Sequence, residues 1–334
     1  MHYPFRERYS ITNRSYSLHL QRAITDFGSD CSFSETQNKI EEHYRIKVPE
    51  SSIRCVVLAH AQQMDSYLSS LNPQEGFDSR RAPEVVVGQT DGTMIPIVKT
   101  KPYANEDSET DRRKNKELFY REARLSLAHK IGEVDPVYRA TLGSTDEVGE
   151  QLQWCTLRVG ADDKSSIHCV GDGAKWITEQ VEKRFGAHGH YLIDFFHLCE
   201  YLYAAAARIF TDTKQRTQWV KEQKLRMKQS KTQEVLDALS KHITEEHDKD
   251  DPVVACHRYI SNRPNQFDYK KAIENDLPIG SGKVESGHRS VIQKRLKIPG
   301  AWWKEENAQS MLALRTIVVN DNWDQYWEAV KKVA

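Results

Sequence analysis

From residue 14 to residue 66 apolar side chains recur at helical spacing. "SYSLHLQRAITDFG" reads as a helix stopped by Gly28. "SFSETQNKIEEHY" opens with Ser32 three residues before Glu35, the spacing of a capping box in which each side chain satisfies a free backbone N–H. After the turn "RIKVPE", "SSIRCVVLAHAQQM" puts Ile53, Val56, Val57, Ala61 and Met64 on one face. Two short helices joined by a tight turn fit a helix-turn-helix whose second helix would present Ser51, Ser52 and Arg54 to a groove; small helical bundles with no such role share the pattern. Residues 65 to 83 read as loop, with Pro73, Gly76 and Pro83, and a linker is placed at 71–83.

Beyond it the period shortens. "VVVGQTDGTMIPI" predicts a strand at about 84–91 and a second at about 94–100, with Asp91-Gly92 between them. Asp-Gly is a strong hairpin signal, so a turn is one reading and a carboxylate held on a strand is the other. A charged loop, "ANEDSETDRRKNKE", leads to a third strand in "LFYREARLSLAHKI". Then come a helix in "DEVGEQLQWCTLRVG", a short strand in "SIHCVGDG", a helix in "AKWITEQVEKRFG" and a strand in "HYLIDFFH". Three strands, helix, strand, helix, strand is not the alternation of a doubly wound sheet and fits an α/β fold whose mixed sheet has a meander at one end. From 198 to 277 the pattern is helical, and 278–334 returns to the strand-bearing part. The expected divisions are 1–70, the linker 71–83, 84–197, a helical insertion at 198–277, and 278–334.

Composition adds little direction. The chain has 334 residues, with 48 Lys and Arg against 48 Asp and Glu, so net charge identifies no partner and any polyanion surface must come from local clusters. No apolar run approaches the roughly 20 residues of a membrane helix, and the N-terminus lacks the apolar core of a signal peptide, so no membrane partner and a cytoplasmic location are expected. Six scattered cysteines read as reduced thiols. Residues 214–231 hold seven basic side chains, among them Lys221, Lys224 and Lys228, against the single acid Glu222. Such a run is a solvated helix face or a nucleic-acid surface.

Three acids stand in chemically suggestive places. Asp172 ends a short apolar strand between Gly171 and Gly173, where open α/β sheets place ligand-binding groups; a plain turn is the competing reading. In "LPIGSGKVESGHRSVIQKRLKIPG" a helix is expected from about Lys283 to Pro299, with Ser281 able to cap it, Glu285 in its first turn, and His288 and Arg289 one turn on. That glutamate suits the helix dipole whatever its role. Six basic residues between 283 and 304, including Arg289, Lys294 and Arg295, and the pair Trp302-Trp303 surround it. Asp91, Asp172 and Glu285 form the kind of oxygen donor set that holds hard divalent cations against a phosphodiester.

The stretches "QTDGTMIPI", "CVGDGAKWI", "YLIDFFHLCEYL", "LPIGSGKVESGHRSVIQKRLK" and "WWKEENAQSMLALRTIVVNDNWDQYW" together resemble DDE transposases of bacterial insertion sequences, most closely the ISKra group, over roughly residues 15 to 330. The resemblance implies a ribonuclease-H-like catalytic core with a helical insertion. Asp91, Asp172 and Glu285 would form a triad for two Mg²⁺ or Mn²⁺ ions. The substrate would be DNA, both terminal inverted repeats and target, worked on in a homodimer or larger synaptic complex at the nucleoid. "DFFH" resembles an acid-x-x-histidine signature of related transposases, which would make His197 catalytic and Asp194 its support; an N-cap and a buried histidine are the alternative. Many such enzymes carry a Lys or Arg seven residues after the glutamate; here Ile292 stands there, leaving Arg289 or Lys294 to serve. Relatives also carry sequence ahead of the first helical segment, so a shortened N-terminus with impaired end recognition is an expectation. The rival functions are a structure-specific nuclease on the same fold and a catalytically inactive, domesticated DNA-binding protein. A carboxylate-pair glycosidase is conceivable from the acids alone, but no aromatic sugar platform is evident.

Overall fold

The computed structural model describes residues 16–75, 82–100, 116–244 and 248–333; most of the charged stretch 104–117 and part of the 71–83 linker lie outside them. Its centre is a five-stranded mixed sheet in the order β3-β2-β1-β4-β5. The strands are β1 (Val85–Thr100), β2 (Lys116–Lys130), β3 (Val137–Thr141), β4 (Ser166–Gly171) and β5 (Gly189–Ile193). β1, β2 and β3 form an antiparallel meander, while β4 and β5 run parallel to β1.

Two expectations change here. Asp91-Gly92 is no turn: β1 is one 16-residue strand, with Asp91 opposite Leu125 and Gly92 opposite Arg124. Valine and isoleucine on both sides of the pair keep the chain extended, and the long partner β2 continues the ladder across it. The two strands expected at 84–100 are therefore one. The meander is completed instead by β3, a five-residue strand, "VYRAT", that the pattern reading passed over.

Three helices open the described chain: α1 (Leu18–Asp30), α2 (Phe33–Tyr44) and α3 (Glu50–Ser70). The capping box forms as its spacing predicts, with Ser32 Oγ accepting from Glu35 N and Glu35 Oε2 accepting from Ser32 N. Gly28 does not end α1; it lies inside the helix where Val57 packs so closely that a Cβ would come within 2.4 Å of its Cγ2. α3 carries helix through to Ser70, past the expected start of the loop, and packs along α12 (Glu305–Val319). Ile24, Val57 and Met64 share one core with Ile95, Ile97 and Leu125 of the sheet and Leu312 of α12, so the N-terminal helices cover one sheet face. The opposite face, with Val86 and Ala128, is covered by α4 (Thr145–Arg158) and α5 (Lys175–Phe185) through Leu152, Ile177 and Val181.

After β5 come α6 (Phe195–Ile209), α7 (Thr213–Lys228), α8 (Thr232–Ser240), α9 (Pro252–Ser261) and α10 (Tyr269–Glu274). They build their own apolar cluster around Leu198, Leu202, Leu239 and Ile260, joined to the sheet by Leu192 and Ile193. α11 (Gly282–Gly287) then passes through a π-helical turn (His288–Gln293) into a last turn (Lys294–Leu296), followed by α12 and α13 (Trp323–Val333). The wide turn frees the Ser290 carbonyl, which accepts from Nε and Nη2 of buried Arg315 at 3.2 and 2.7 Å. All six cysteines are unpaired, and among the described residues no helix is long and apolar enough to cross a membrane.

Candidate active site

β1 and β4 pair in parallel from Val85↔Ser166 to Gln89↔Val170. Paired residues on parallel strands point to the same face, and side chains repeat every second residue. Continuing that register two positions leads to Asp91 in β1 and to Asp172, the first residue past the end of β4, so both acids lie at the same end of neighbouring strands. Asp91 is on the face of Ile95 and Ile97, on which α11 is seated.

The seat is made by four consecutive residues. The Pro278 carbonyl accepts from His168 Nε2 at 2.8 Å, and burial keeps that imidazole neutral by lowering its pKa. The Ile279 carbonyl accepts from Phe195 N at 2.8 Å, and the Gly280 carbonyl from Gln89 Nε2 at 3.3 Å. Ser281 donates both its N–H, at 2.7 Å, and its hydroxyl to Asp194 Oδ2. β4 and β1 thus each hold one residue of the loop that launches α11, and the start of α6 holds two. Gln89 also accepts from Val284 N at 2.9 Å, fixing the first turn of the helix against β1.

Glu285 is exposed in that first turn and has no side-chain partner among the described residues. One turn on, buried His288 places Nε2 3.1 Å from Asp91 Oδ2, while its Nδ1 has no partner. A proton on Nε2 lets the ring donate to Asp91. Asp91 Oδ1 accepts from Gly92 N at 2.7 Å, so both oxygens of this half-exposed carboxylate are oriented.

Asp172 is held by its surroundings as firmly. Its Oδ1 accepts from Ala174 N at 2.8 Å, and its carbonyl accepts from the Tyr259 hydroxyl at 2.6 Å. Gly173 turns with φ +88°, a conformation side chains rarely adopt, and packs under Ile193 and Arg263. Its N–H is donated to Tyr191 Oη and its carbonyl accepts from Arg263 Nε, both at 2.9 Å. Burial raises the pKa of Tyr191 and of Tyr259, so both phenols stay protonated.

The three acids come from β1, the end of β4 and the first turn of α11, and their donor atoms, all carboxylate oxygen, fit a hard divalent cation in kind. Among the described residues no three His, Cys, Asp or Glu side chains stand close enough together to hold a metal ion. Asp194 is the N-cap of α6, accepting from Phe196 N at 2.6 Å and His197 N at 3.2 Å as well as from Ser281. His197 touches none of the three acids: it lies 3.6 Å from Glu200 Oε2 with its ring against Tyr201 and Tyr259.

The basic residues divide. Arg289, Lys221 and Lys228 are exposed, Lys224 is half-buried, and Lys224 and Lys228 stand over the Phe195 ring. Lys294 pairs with Asp30 at 2.6 Å. Arg295 is no surface cation: it is buried between the rings of Phe33 and Trp303 and donates to the Gly28 carbonyl at 2.9 Å. Burial lowers its pKa to about 10. Ser51 and Arg54 are exposed at the start of α3, with Ser52 half-buried. Gln89, His288 and Tyr259 had no role assigned from the sequence; the Glu-x-x-His spacing of 285 and 288 was the one visible cue.

Residues 138–332 match an uncharacterised protein family (UPF0236), more than half of the chain, and the chain belongs to that family. A comparison with curated proteins found no match.

Proposed function

Starting from membership in UPF0236, we propose that this chain is a DDE transposase on a ribonuclease-H-like core, cutting DNA at the ends of an insertion sequence and joining the freed 3′-hydroxyl to target DNA. The observation that supports the reading is the β1–β4 register, which, continued by two residues, leads to Asp91 and Asp172 at one end of neighbouring strands, on the side where the Glu285 helix is tied to β1. An acid in mid-strand among valines and isoleucines has no use in packing. It has one if it must present oxygen to a ligand.

Asp91, Asp172 and Glu285 would hold the divalent ions, Mg²⁺ or Mn²⁺. Bound there, such a pair supplies a nucleophile at neutral pH and neutralises charge on the phosphate oxygens. The chain's own work is placement. His288 and Gly92 N orient the two oxygens of Asp91, Ala174 N orients Asp172, and Gln89 with Asp194 fixes the helix from which Glu285 extends. Exposed Arg289, one turn beyond Glu285, is available to the DNA backbone.

The test is an assay on DNA carrying the element's terminal repeats. Boundary nicking followed by joining to a second duplex, both lost in Asp172→Ala, is the expected result. Wild-type cleavage by Asp172→Ala would sink the assignment. Cutting that ignores repeat sequence and never joins would move the reading to a structure-specific nuclease.

A further inference from the structure

The outer face of the β1–β2 ladder is apolar where an exposed antiparallel face should be polar. Met94 is 50% exposed, Leu118 52% and Tyr120 62%. The register places Tyr120 opposite Pro96 and Leu118 opposite Val98, so with Met94 they line one side of the two strands. Scattered exposed apolar residues are ordinary, but a contiguous row on one face marks a contact surface.

Trp302, 40% exposed, closes this row into a slot of about 310 Å³. Its place is set by the backbone on either side. Gly300 turns with φ +77°, and Trp303 lies beside β1, with Val98 N donating to its carbonyl at 2.8 Å and its own N–H reaching the Pro96 carbonyl at 3.3 Å. The Trp303 indole is buried and donates to the Leu296 carbonyl at 3.2 Å. Trp302 is thus anchored yet open. Its ring centroid is 6.2 Å from that of Tyr120 at 56°, a tilt that leaves ring faces unstacked. The volume lies at the lower end of the range for small-molecule pockets, about 300–1,000 Å³, and suits one flat ring system.

Among the described residues Lys297 is the charged side chain lining the slot, and Glu122, opposite Met94, is paired with Arg124 at 2.6 Å. Lys297 leaves the last turn of the helix that carries Glu285 and His288, and its Nζ lies 2.6 Å from Thr93 Oγ1. Thr93 is two residues from Asp91. Met94, on the slot floor, is three residues from Asp91 and points to the other face of the sheet, so the slot opens on the opposite side of β1 from Asp91.

We propose that the slot takes an unpaired nucleobase of single-stranded DNA, stacked on Trp302 with Tyr120 against its edge. A flat ring on an anionic backbone matches aromatic faces beside a lysine, and a cationic or purely aliphatic partner does not. This deepens the transposase reading and rests on it for the choice of DNA as the polymer.

The test is fluorescence anisotropy of a labelled single-stranded oligodeoxynucleotide in EDTA, so that no cleavage enters. Trp302→Ala and Tyr120→Ala should each weaken binding by roughly 5- to 150-fold, the loss of one stacked base, without changing the salt dependence. Trp302→Phe should restore most of it. With unaltered protein, an abasic site walked along the oligonucleotide should weaken binding at one position, which keeps the test decisive if a variant fails to fold. Unchanged affinity in the variants and at every abasic position would overturn the proposal. So would a Trp302→Ala protein with altered sedimentation and unaltered DNA affinity, which would make the face an interface between copies. Base-dependent binding by a wild-type protein that never cleaves would keep the slot and sink the catalytic reading instead.

Discussion

Replacing Gln89 by leucine removes the side chain that, among the described residues, bonds both the loop and the first turn of the Glu285 helix to β1. Its carbonyl accepts from Val284 N at 2.9 Å and its amide donates to the Gly280 carbonyl at 3.3 Å. Val284 is 1% exposed, and its N–H keeps a second acceptor, the Ser281 carbonyl at 3.0 Å, so it is weakened and not orphaned. An ordinary hydrogen bond contributes about 1 kcal/mol net, and two are lost. Leucine fills nearly the same volume, so cavity terms are small and the expected loss is about 1–2 kcal/mol. Part of it is relieved if the helix start lifts from the strand. Urea unfolding gives the total, and amide exchange at Val284 shows where it falls. Because a displacement near 1 Å costs on the order of 100-fold in rate, DNA cleavage should fall by about that factor. A loss under about 0.5 kcal/mol, the range of an ordinary surface change, with exchange at Val284 unaltered, would refute the reasoning.

Three further perturbations have definite signs. His60 is buried between Tyr326 and Gln21, and burial lowers its pKa to about 4. Its neutral form is the folded one, so stability is full above pH 6.5 and falls as the pH drops from there towards 4, by about 3 kcal/mol in all; urea midpoints from pH 7 to 5 should show it, and His60→Gln should flatten that slope. Arg295→Met should cost about 2–4 kcal/mol through the lost ring contacts and the orphaned Gly28 carbonyl, yet leave DNA affinity and its salt slope unchanged, whereas Arg289→Ala should lower that slope by about one in the same titration. Asp194→Ala strips both the α6 cap and the Ser281 anchor and should lower stability by about 3 kcal/mol in chemical denaturation; a loss no larger than that of a single cap would show that the Ser281 contact carries nothing.

What could be read along the chain was what neighbours in sequence decide. Ser32 and Glu35 lie one turn apart, and Asp194 caps residues two and three places on, so both interactions were legible. The mixed sheet followed from the order of strands and helices. Asp91-Gly92 misled because its turn preference is local, while the 15-residue partner strand that overrides it is not. β3 is short and holds Arg139, whose guanidinium lies over Trp154 of α4, a contact that alternation does not reveal. Arg295 looked like part of a basic surface because the rings that bury it include Phe33, far off in the chain. Gln89 and His288 share that difficulty, since their partners lie 195 and 197 residues away.

The most direct measurement is Mg²⁺- or Mn²⁺-dependent nicking of a labelled duplex bearing the terminal repeats, by wild-type protein and by Glu285→Ala. Glu285 is exposed and makes no side-chain contact among the described residues, so its removal should leave the fold intact. Nicking at the repeat boundary by the wild type, abolished in the variant at unchanged stability, is the predicted result. Equal rates from both proteins, or a wild type that binds the repeats and never cuts them with either metal, would contradict the assignment.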